Sequence, residues 1–477
     1  MKKIKLFLSS FLVYGLGGII AKVIPLIMVP VFTRLLPDST AYGVSDMSTT
    51  IVSFASALAT MGMYDGMYRM FFEKEDVAYK RDICSTTMNF VMITTLILSV
   101  AMIMLQKPIA QLFFGDSQYA YLVNISAVST FFSTGISIVS APTRMENKSK
   151  TFMLISILSP LLGYCVSIPM IFNKQYITAF PVAGLFPSAV MTVIFFILNC
   201  KWFSFGKIRL DYLKQMLAIA IPLLPNFLIY WVFNSSDRLM ITNILGLQEA
   251  GIYAVGAKLG MASQLIYTAF AGGWQYFAFS TMKEKDQVKS NSMVFEYLGL
   301  ISFACSMFVF ALAKPIYELL FEGDYVAGFI AAPYLFLAPL LQMLFQVAAN
   351  QFLVVKKTWP NLFILSAGAI LNVCINLFLI PVLGIEGAAM ATLVGYAVSD
   401  IICVIVLCKM KLMVVSARFL VSVGMIAGYV IAWRLMFMNS VLVSVVLAII
   451  ISVAYVMLYK KDILSLIDGL KRKTQES

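Results

Sequence analysis

Two lysines stand where a charge is hardest to keep. Lys22 lies deep in an apolar run spanning 8–33, and Lys258 lies in another spanning 250–280. An ionised side chain at mid-bilayer costs on the order of 2.5–3.5 kcal/mol on insertion scales, so each needs a partner or a purpose. Lys22 shares a helical stripe with Tyr14, Gly18 and Pro25, and Lys258 shares one with Gly251, Ala254 and Ala262. Small and irregular residues mark a protein-facing side. Both ammonium groups are therefore expected to face other helices or a cavity, where they would bind an anionic group such as a diphosphate. The competing reading is that their stems snorkel to the headgroups. Arg69 and Arg238 end two further apolar runs, and guanidinium binds phosphate in a bidentate way. The plainer readings are positive-inside anchoring for Arg69 and a local pair with Asp237 for Arg238.

Uncharged polar residues form lines. Gln342, Gln346 and Asn350 are spaced i, i+4, i+8, which places them on one helix face. Ser45, Thr49, Ser53, Ser56 and Thr60 form a similar line. Lipid satisfies none of these groups, so they face protein or water. They either bond between helices or form a wet wall that binds sugar hydroxyls. In the first case the neighbours Leu344 and Val347 would be as protected as the polar line; in the second they are expected to face lipid. Tyr230, Trp231, Trp274 and Tyr276 are candidates to stack on sugar rings, although interfacial aromatics are common.

Other chemistries are excluded or unsupported. There is no histidine among the 477 residues, which removes the commonest metal ligand and the usual acid-base group near neutral pH. The seven cysteines include no CxxC pair and read as packing residues. "GLGG" at 15–18 lacks the strand-turn-helix setting of a dinucleotide site. No catalytic, metal or cofactor site is expected.

The elements that must position these residues follow from composition. Hydrophobic residues make up 61% and charged residues 12% of the chain, about half the charge of an ordinary soluble domain. Fourteen apolar runs between residues 8 and 459 are near or above the roughly 20 residues that cross a bilayer as a helix. The expected fold is an all-α integral membrane protein. The net charge of +12 does not imply nucleic acid. With the N-terminus inside, the inside segments hold 25 Lys and Arg, against Arg34, Lys107, Lys174 and Lys314 outside. That asymmetry predicts cytoplasmic termini and a basic surplus facing anionic lipid.

A phrase recurs. "KPIAQLFFGD" starts at Lys107 and "KPIYELLFEGD" at Lys314, an offset of 207 (314 − 107). Both are expected in the loop after the third span of a six-span set. "FTRLLPDSTAYGV" (32–44) pairs with "ITNILGLQEAGIYAV" (241–255), and "PVAGLFPSAV" (181–190) with "PVLGIEGAAM" (381–390). Six spans is an even number, so the copies form a parallel repeat. The division is a lobe over 1–205, a second six-helix lobe over 206–410, and two appended helices with a tail over 411–477.

"VFTRLLPDSTAYGV", "IPLLPNFLIYWVFNSSDRLMITNILGLQEAGIYAVGAKLG" and "LGIEGAAMAT" resemble the oligosaccharide flippases of the multidrug/oligosaccharidyl-lipid/polysaccharide export superfamily. The resemblance implies a MATE-like fold. It implies movement of undecaprenyl-diphosphate-linked oligosaccharide from the inner to the outer leaflet of the bacterial cytoplasmic membrane, for O-antigen or capsule. Lipid-linked oligosaccharide and membrane lipids are then the partners, with a polysaccharide polymerase and glycosyltransferases beyond them. A drug or cation exporter of the same superfamily would use carboxylates within spans, for which Asp46, Asp65, Glu296 and Asp400 are the candidates; the same four could serve proton or sodium coupling. A lipid II flippase and a membrane polymerase or ligase are the remaining alternatives.

Overall fold

A backbone that must satisfy its own hydrogen bonds in lipid folds as helix, and every regular element among the described residues is helical. The structure is a computed structural model that describes residues 23–280, 286–357, 359–462 and 464; Lys22 lies outside them. The helices are α1 (Val23–Leu35), α2 (Thr40–Thr60), α3 (Met63–Phe71), α4 (Val77–Met104), α5 (Gln106–Phe114), α6 (Ala120–Val139), α7 (Ala141–Met145), α8 (Ser149–Phe172), α9 (Tyr176–Asn199), α10 (Leu210–Ala220), α11 (Leu224–Leu245), α12 (Leu247–Ser280), α13 (Gln287–Leu320), α14 (Ala332–Val354), α15 (Trp359–Leu383), α16 (Ile385–Lys409), α17 (Ala417–Ala432) and α18 (Val441–Leu458). Among the described residues, 11 helices are long and apolar enough to cross a membrane. Helices α1, α2 and α12 stand at the first, second and eighth expected spans.

The second expected span, 42–68, is divided. Met61 and Gly62 both take positive φ, 49° and 71°, which ends α2 and restarts the chain as α3. Glycine adopts this conformation without a Cβ penalty, and a Cβ at Gly62 would stand 3.0 Å from Ala220 O.

The expectation that both copies of the Lys-Pro-Ile phrase lie in loops is corrected. The first copy forms most of α5, and the second continues α13 through Pro315 to Leu320. The Leu- and Phe-rich residues after each proline sustain helix until glycine breaks it. Gly115 and Gly323 take φ of 75° and 61°. Each is followed by an aspartate and a 3₁₀ turn: Asp116 Oδ1 accepts from Gln118 N at 2.9 Å, and Asp324 lies in the first turn of Gly323–Ile330.

The described chain clusters into two compact units. The first comprises Met1–Val255, Phe321–Tyr325 and Val373–Ala388. Inside it, equivalent residues of the two repeats exchange contacts. Gly43 and Gly251 are 208 residues apart (251 − 43). A Cβ on Gly43 would fall 2.0 Å from Leu247 O, and one on Gly251 would fall 1.9 Å from Ser39 O. Leu247 is itself 208 residues beyond Ser39 (247 − 39). This reciprocity is the signature of a two-fold pair. Nearby, Arg34 Nε pairs with Glu322 Oε1 at 3.0 Å, and Asn243 Nδ2 donates to Leu112 O at 2.7 Å. The phrase recurs because the end of each copy is the ledge on which the other repeat's first helix finishes.

The second unit comprises Gly256–Leu320, Val326–Asn372 and Ala389–Ser477. Its two appended helices are fastened to α13 through buried Glu296, which accepts from Ser416 N (2.7 Å), Ser416 Oγ (2.8 Å) and the Tyr459 hydroxyl (2.9 Å). Arg418 stacks 4.1 Å over the Tyr459 ring and pairs with Asp462 at 2.5 Å. Tyr429 donates to the backbone Met307 O at 2.9 Å, so α17 and α18 are built into this unit through the Glu296 side chain and the Met307 carbonyl of α13.

Candidate substrate site

Three helices of the first unit, α2, α6 and α9, pack on one another and present hydroxyls to a common space. Ser45, Ser48 and Thr49 come from α2, Ser126, Ser129 and Ser133 from α6, and Ser188 from α9. Val52, Phe180, Pro181 and Gly184 complete the wall of a cavity of about 200 Å³. No lining residue is ionisable. Spacings of three, four and seven bring these serines to one face of each helix, and small side chains leave the space between the helices open.

Some hydroxyls are already satisfied. Thr49 Oγ1 donates to Ser45 O at 2.9 Å, and Ser188 Oγ donates to Gly184 O at 2.8 Å. Two are not. Ser48 and Ser126 are 5% and 1% exposed, and neither hydroxyl has a hydrogen-bond partner. A buried polar group without a partner costs about 1–3 kcal/mol. A ligand that brings its own donors and acceptors removes that cost.

The polar line predicted along α2 is split in role. Ser45 and Thr49 line the cavity. Below them, Ser53 donates to Thr50 O (2.9 Å), Thr60 to Ser56 O (2.7 Å), and Ser56 Oγ accepts from Thr134 (3.2 Å). The α6 serines escaped the sequence reading because each alone is a small residue in an apolar run. The same spacing argument applied to Ser126, Ser129 and Ser133 would have found them.

In the second unit, Gln342 and Asn350 are buried and Gln346 is half-buried on α14. Leu344 and Val347 are 2% and 0% exposed. The expectation that these two face lipid is corrected: α14 is enclosed on all sides. Gln287 Nε2 donates to Gln351 Oε1 at 3.0 Å, which shows interhelical bonding beside that line. Lys258 is half-buried on α12.

The remaining residues are dispersed. Arg69 is exposed in the last turn of α3. Arg238 pairs with Asp46 across α11 and α2, Nε to Oδ2 at 3.4 Å. This corrects the local pair with Asp237, whose carboxylate instead accepts from the Tyr253 hydroxyl and from Arg238 N. Tyr230 is half-buried. Trp231 lies 4.5 Å from the Phe54 ring, and Trp274 stacks 5.7 Å from Phe270. The Tyr276 side chain lies outside the described set.

Of the four span carboxyls, Asp46 and Glu296 are thus engaged, and Asp65 sits in the first turn of α3. Asp400, on α16, is buried with neither oxygen hydrogen-bonded.

Residues 31–327 match the family described as "Polysaccharide biosynthesis protein". The chain belongs to that family. No curated protein matches. Among solved structures, the chain is similar to the lipid II flippase MurJ in an inward closed conformation, with TM-score 0.70 and 14% identity over 95% of this chain and 100% of that one. It is also similar to an inward-facing multidrug resistance MATE family transporter of the MOP superfamily, with TM-score 0.61 and 15% identity over 82% and 98%. A third is the Vibrio cholerae MATE transporter VcmN, with TM-score 0.58 and 13% identity over 85% and 96%. The polysaccharide biosynthesis protein therefore has the all-helical fold shared by MurJ and the MATE transporters.

Proposed function

We propose that this protein flips an undecaprenyl-diphosphate-linked oligosaccharide from the inner to the outer leaflet of the bacterial cytoplasmic membrane, for O-antigen or capsule assembly. It works by alternating access of its two repeats, with both termini cytoplasmic. The observation that carries the reading is the cavity between α2, α6 and α9, which offers seven hydroxyls and no charge. Such a wall suits the hydroxyls of a neutral sugar and gives a cation nothing to pair with. Gln342, Gln346, Asn350 and Tyr230 are proposed as further saccharide contacts. Lys22, Lys258, Arg69 and Arg238 are proposed to serve the diphosphate, Arg238 by exchanging Asp46 for it. A polymerase and glycosyltransferases would act before and after the flip.

A drug or cation antiporter is less well supported, because Asp46 is ion-paired with Arg238 and Glu296 accepts hydrogen bonds from Ser416. Asp400 is the best seat for a coupling proton or sodium ion, since its carboxyl lacks any hydrogen-bond partner among the described residues. A lipid II flippase reading is favoured by the likeness to MurJ, whereas membership of the polysaccharide biosynthesis family favours a surface polysaccharide. Complementation of a flippase-null cell tests the reading. Lys258→Arg should retain part of surface polysaccharide display, and Lys258→Met at equal membrane level should lose most of it. Full display by the Met variant would remove the cationic part of the site.

A further inference from the structure

At one end of the first unit Lys80, Lys148, Lys201, Lys207 and Arg209 meet carboxylates. Arg144 apart, the described cations there that meet none, Arg69, Lys74, Arg81, Lys150 and Lys214, are exposed. Glu146 takes Lys148 and Lys201, each at 2.5 Å, and the Trp202 indole at 2.9 Å. Asp82 takes Lys207 and, at 3.2 Å, Arg209. Arg34, Arg238 and Arg418 each meet a carboxylate. Arg144 is half-buried and meets none among the described residues. Its guanidinium carbon instead lies 5.1 Å from the Tyr64 ring centre and 4.9 Å from that of Phe152. Nε is buried without an acceptor, and an Nη2 contact to Ser140 Oγ is long, at 3.5 Å.

This side chain is held in place. The break between α6 and α7 is pinned by buried Asn199, whose Nδ2 donates to Val139 O at 2.8 Å and to Thr143 Oγ1 at 2.7 Å. Lys148 N closes the next turn on Thr143 O at 2.9 Å. Two aromatic rings fix the plane of the guanidinium by cation–π attraction, so little freedom is left to lose when an anion arrives. A cation with five donors, orientated by rings and left without a carboxylate, is a phosphate fork.

We infer that Arg144 binds the phosphate-ester anion of a lipid headgroup at the cytoplasmic edge of the first unit. Its side of the membrane, and the cargo diphosphate as one source of that anion, rest on the flippase reading; the phosphate chemistry does not. For the cargo, Arg144 would be the residue that captures the diphosphate on entry, before the sugars reach the hydroxyl cavity.

The test uses the full chain in nanodiscs, as wild type, Arg144→Gln and Arg144→Lys. Thermal midpoints establish that each variant is folded, and Arg144→Lys decides if the Gln variant is not. One arm titrates undecaprenyl diphosphate into neutral phosphatidylcholine discs. The other counts phosphatidylglycerol retained from mixed discs by native mass spectrometry. Losing a charge-assisted pair should weaken binding roughly 10- to 100-fold in Arg144→Gln, and by less in Arg144→Lys, which keeps charge without the fork. Loss in the first arm assigns the cargo diphosphate. Loss in the second arm alone assigns the bulk phospholipid, and the phosphate site then stands while cargo capture by Arg144 is refuted. Wild type that ignores undecaprenyl diphosphate altogether, with the second arm still responding, counts against the flippase reading and leaves the phosphate site intact. Equal binding by all three proteins in both arms overturns the inference.

Discussion

Substituting Gly251 by alanine places a methyl group where the crossing of α2 and α12 has no room. The new Cβ would lie 1.9 Å from Ser39 O, while ordinary contact begins at 3.4 Å. The helices must therefore separate by about 1.5 Å (3.4 − 1.9). The obstacle is backbone, so no side-chain rotation relieves it. Separation on that scale also breaks the 2.8 Å bond from Ser39 Oγ to Gln248 O. Overpacking costs about 1–3 kcal/mol and the lost hydrogen bond about 1 kcal/mol. Alanine's better helix propensity returns about 1 kcal/mol, which leaves a net loss of roughly 1–3 kcal/mol. Gly43→Ala should behave alike, because its Cβ would meet Leu247 O at 2.0 Å. Gly428→Ala is the control, since nothing lies within 4 Å of the added carbon. The assay is apparent melting in detergent, read by fluorescence-detected size-exclusion after heating. Both crossing variants should melt several degrees below wild type, and the control should not. Melting of Gly251→Ala at the wild-type temperature would refute the close reciprocal crossing, and with it the two-fold argument for the repeat.

Three further outcomes are expected. Ser48→Val with Ser126→Val removes two unpartnered buried hydroxyls; it should leave thermal stability unchanged or raised while surface polysaccharide display falls, and a wild-type display level would remove the cavity from the transport path. Asp400→Asn keeps the shape and abolishes the titrating group, so reconstituted transport should lose its response to a proton or sodium gradient, and an unchanged response would remove Asp400 from coupling. Burial works to raise the Glu146 pKa, but the bonds from Lys148, Lys201 and Trp202 outweigh it and hold the carboxyl below its usual value. Its contribution to stability is thus complete above the unfolded value of about 4.3 and is lost as pH falls through the lower folded one. The melting gap between wild type and Glu146→Gln should therefore close on acidification, and a gap that widens would contradict the assignment.

What the sequence discloses here is mostly periodic. Apolar length announced the helices, and the Ser45–Thr49 spacing pointed to one wall of the cavity. The duplicated phrase announced the repeat, although its helical conformation was missed because each copy begins where an apolar run ends. Pairing at long range is not periodic. Nothing in the order of residues joins Asp46 to Arg238, or brings Tyr64 and Phe152 to Arg144; the first relation exists only once α2 and α11 are packed, and the second only once α3, α7 and α8 are. The break at Met61–Gly62 was also hidden, because a glycine inside an apolar run is as readily a packing residue as a hinge. Val347 and Leu344 misled for a related reason. An apolar side chain in a membrane helix reads the same whether it meets lipid or another helix, and only the enclosure of α14 decides.

Reconstitution shows whether the protein carries a lipid-linked saccharide across the bilayer. Undecaprenyl-diphosphate-linked oligosaccharide is loaded into proteoliposomes, and its saccharide at the outer surface is followed with a membrane-impermeant lectin. Protein-dependent exchange of the saccharide between leaflets is expected, reduced by Ser48→Val with Ser126→Val at equal protein incorporation. Exchange no faster than in empty liposomes, with gradient-driven accumulation of an organic cation by the same vesicles, would contradict it.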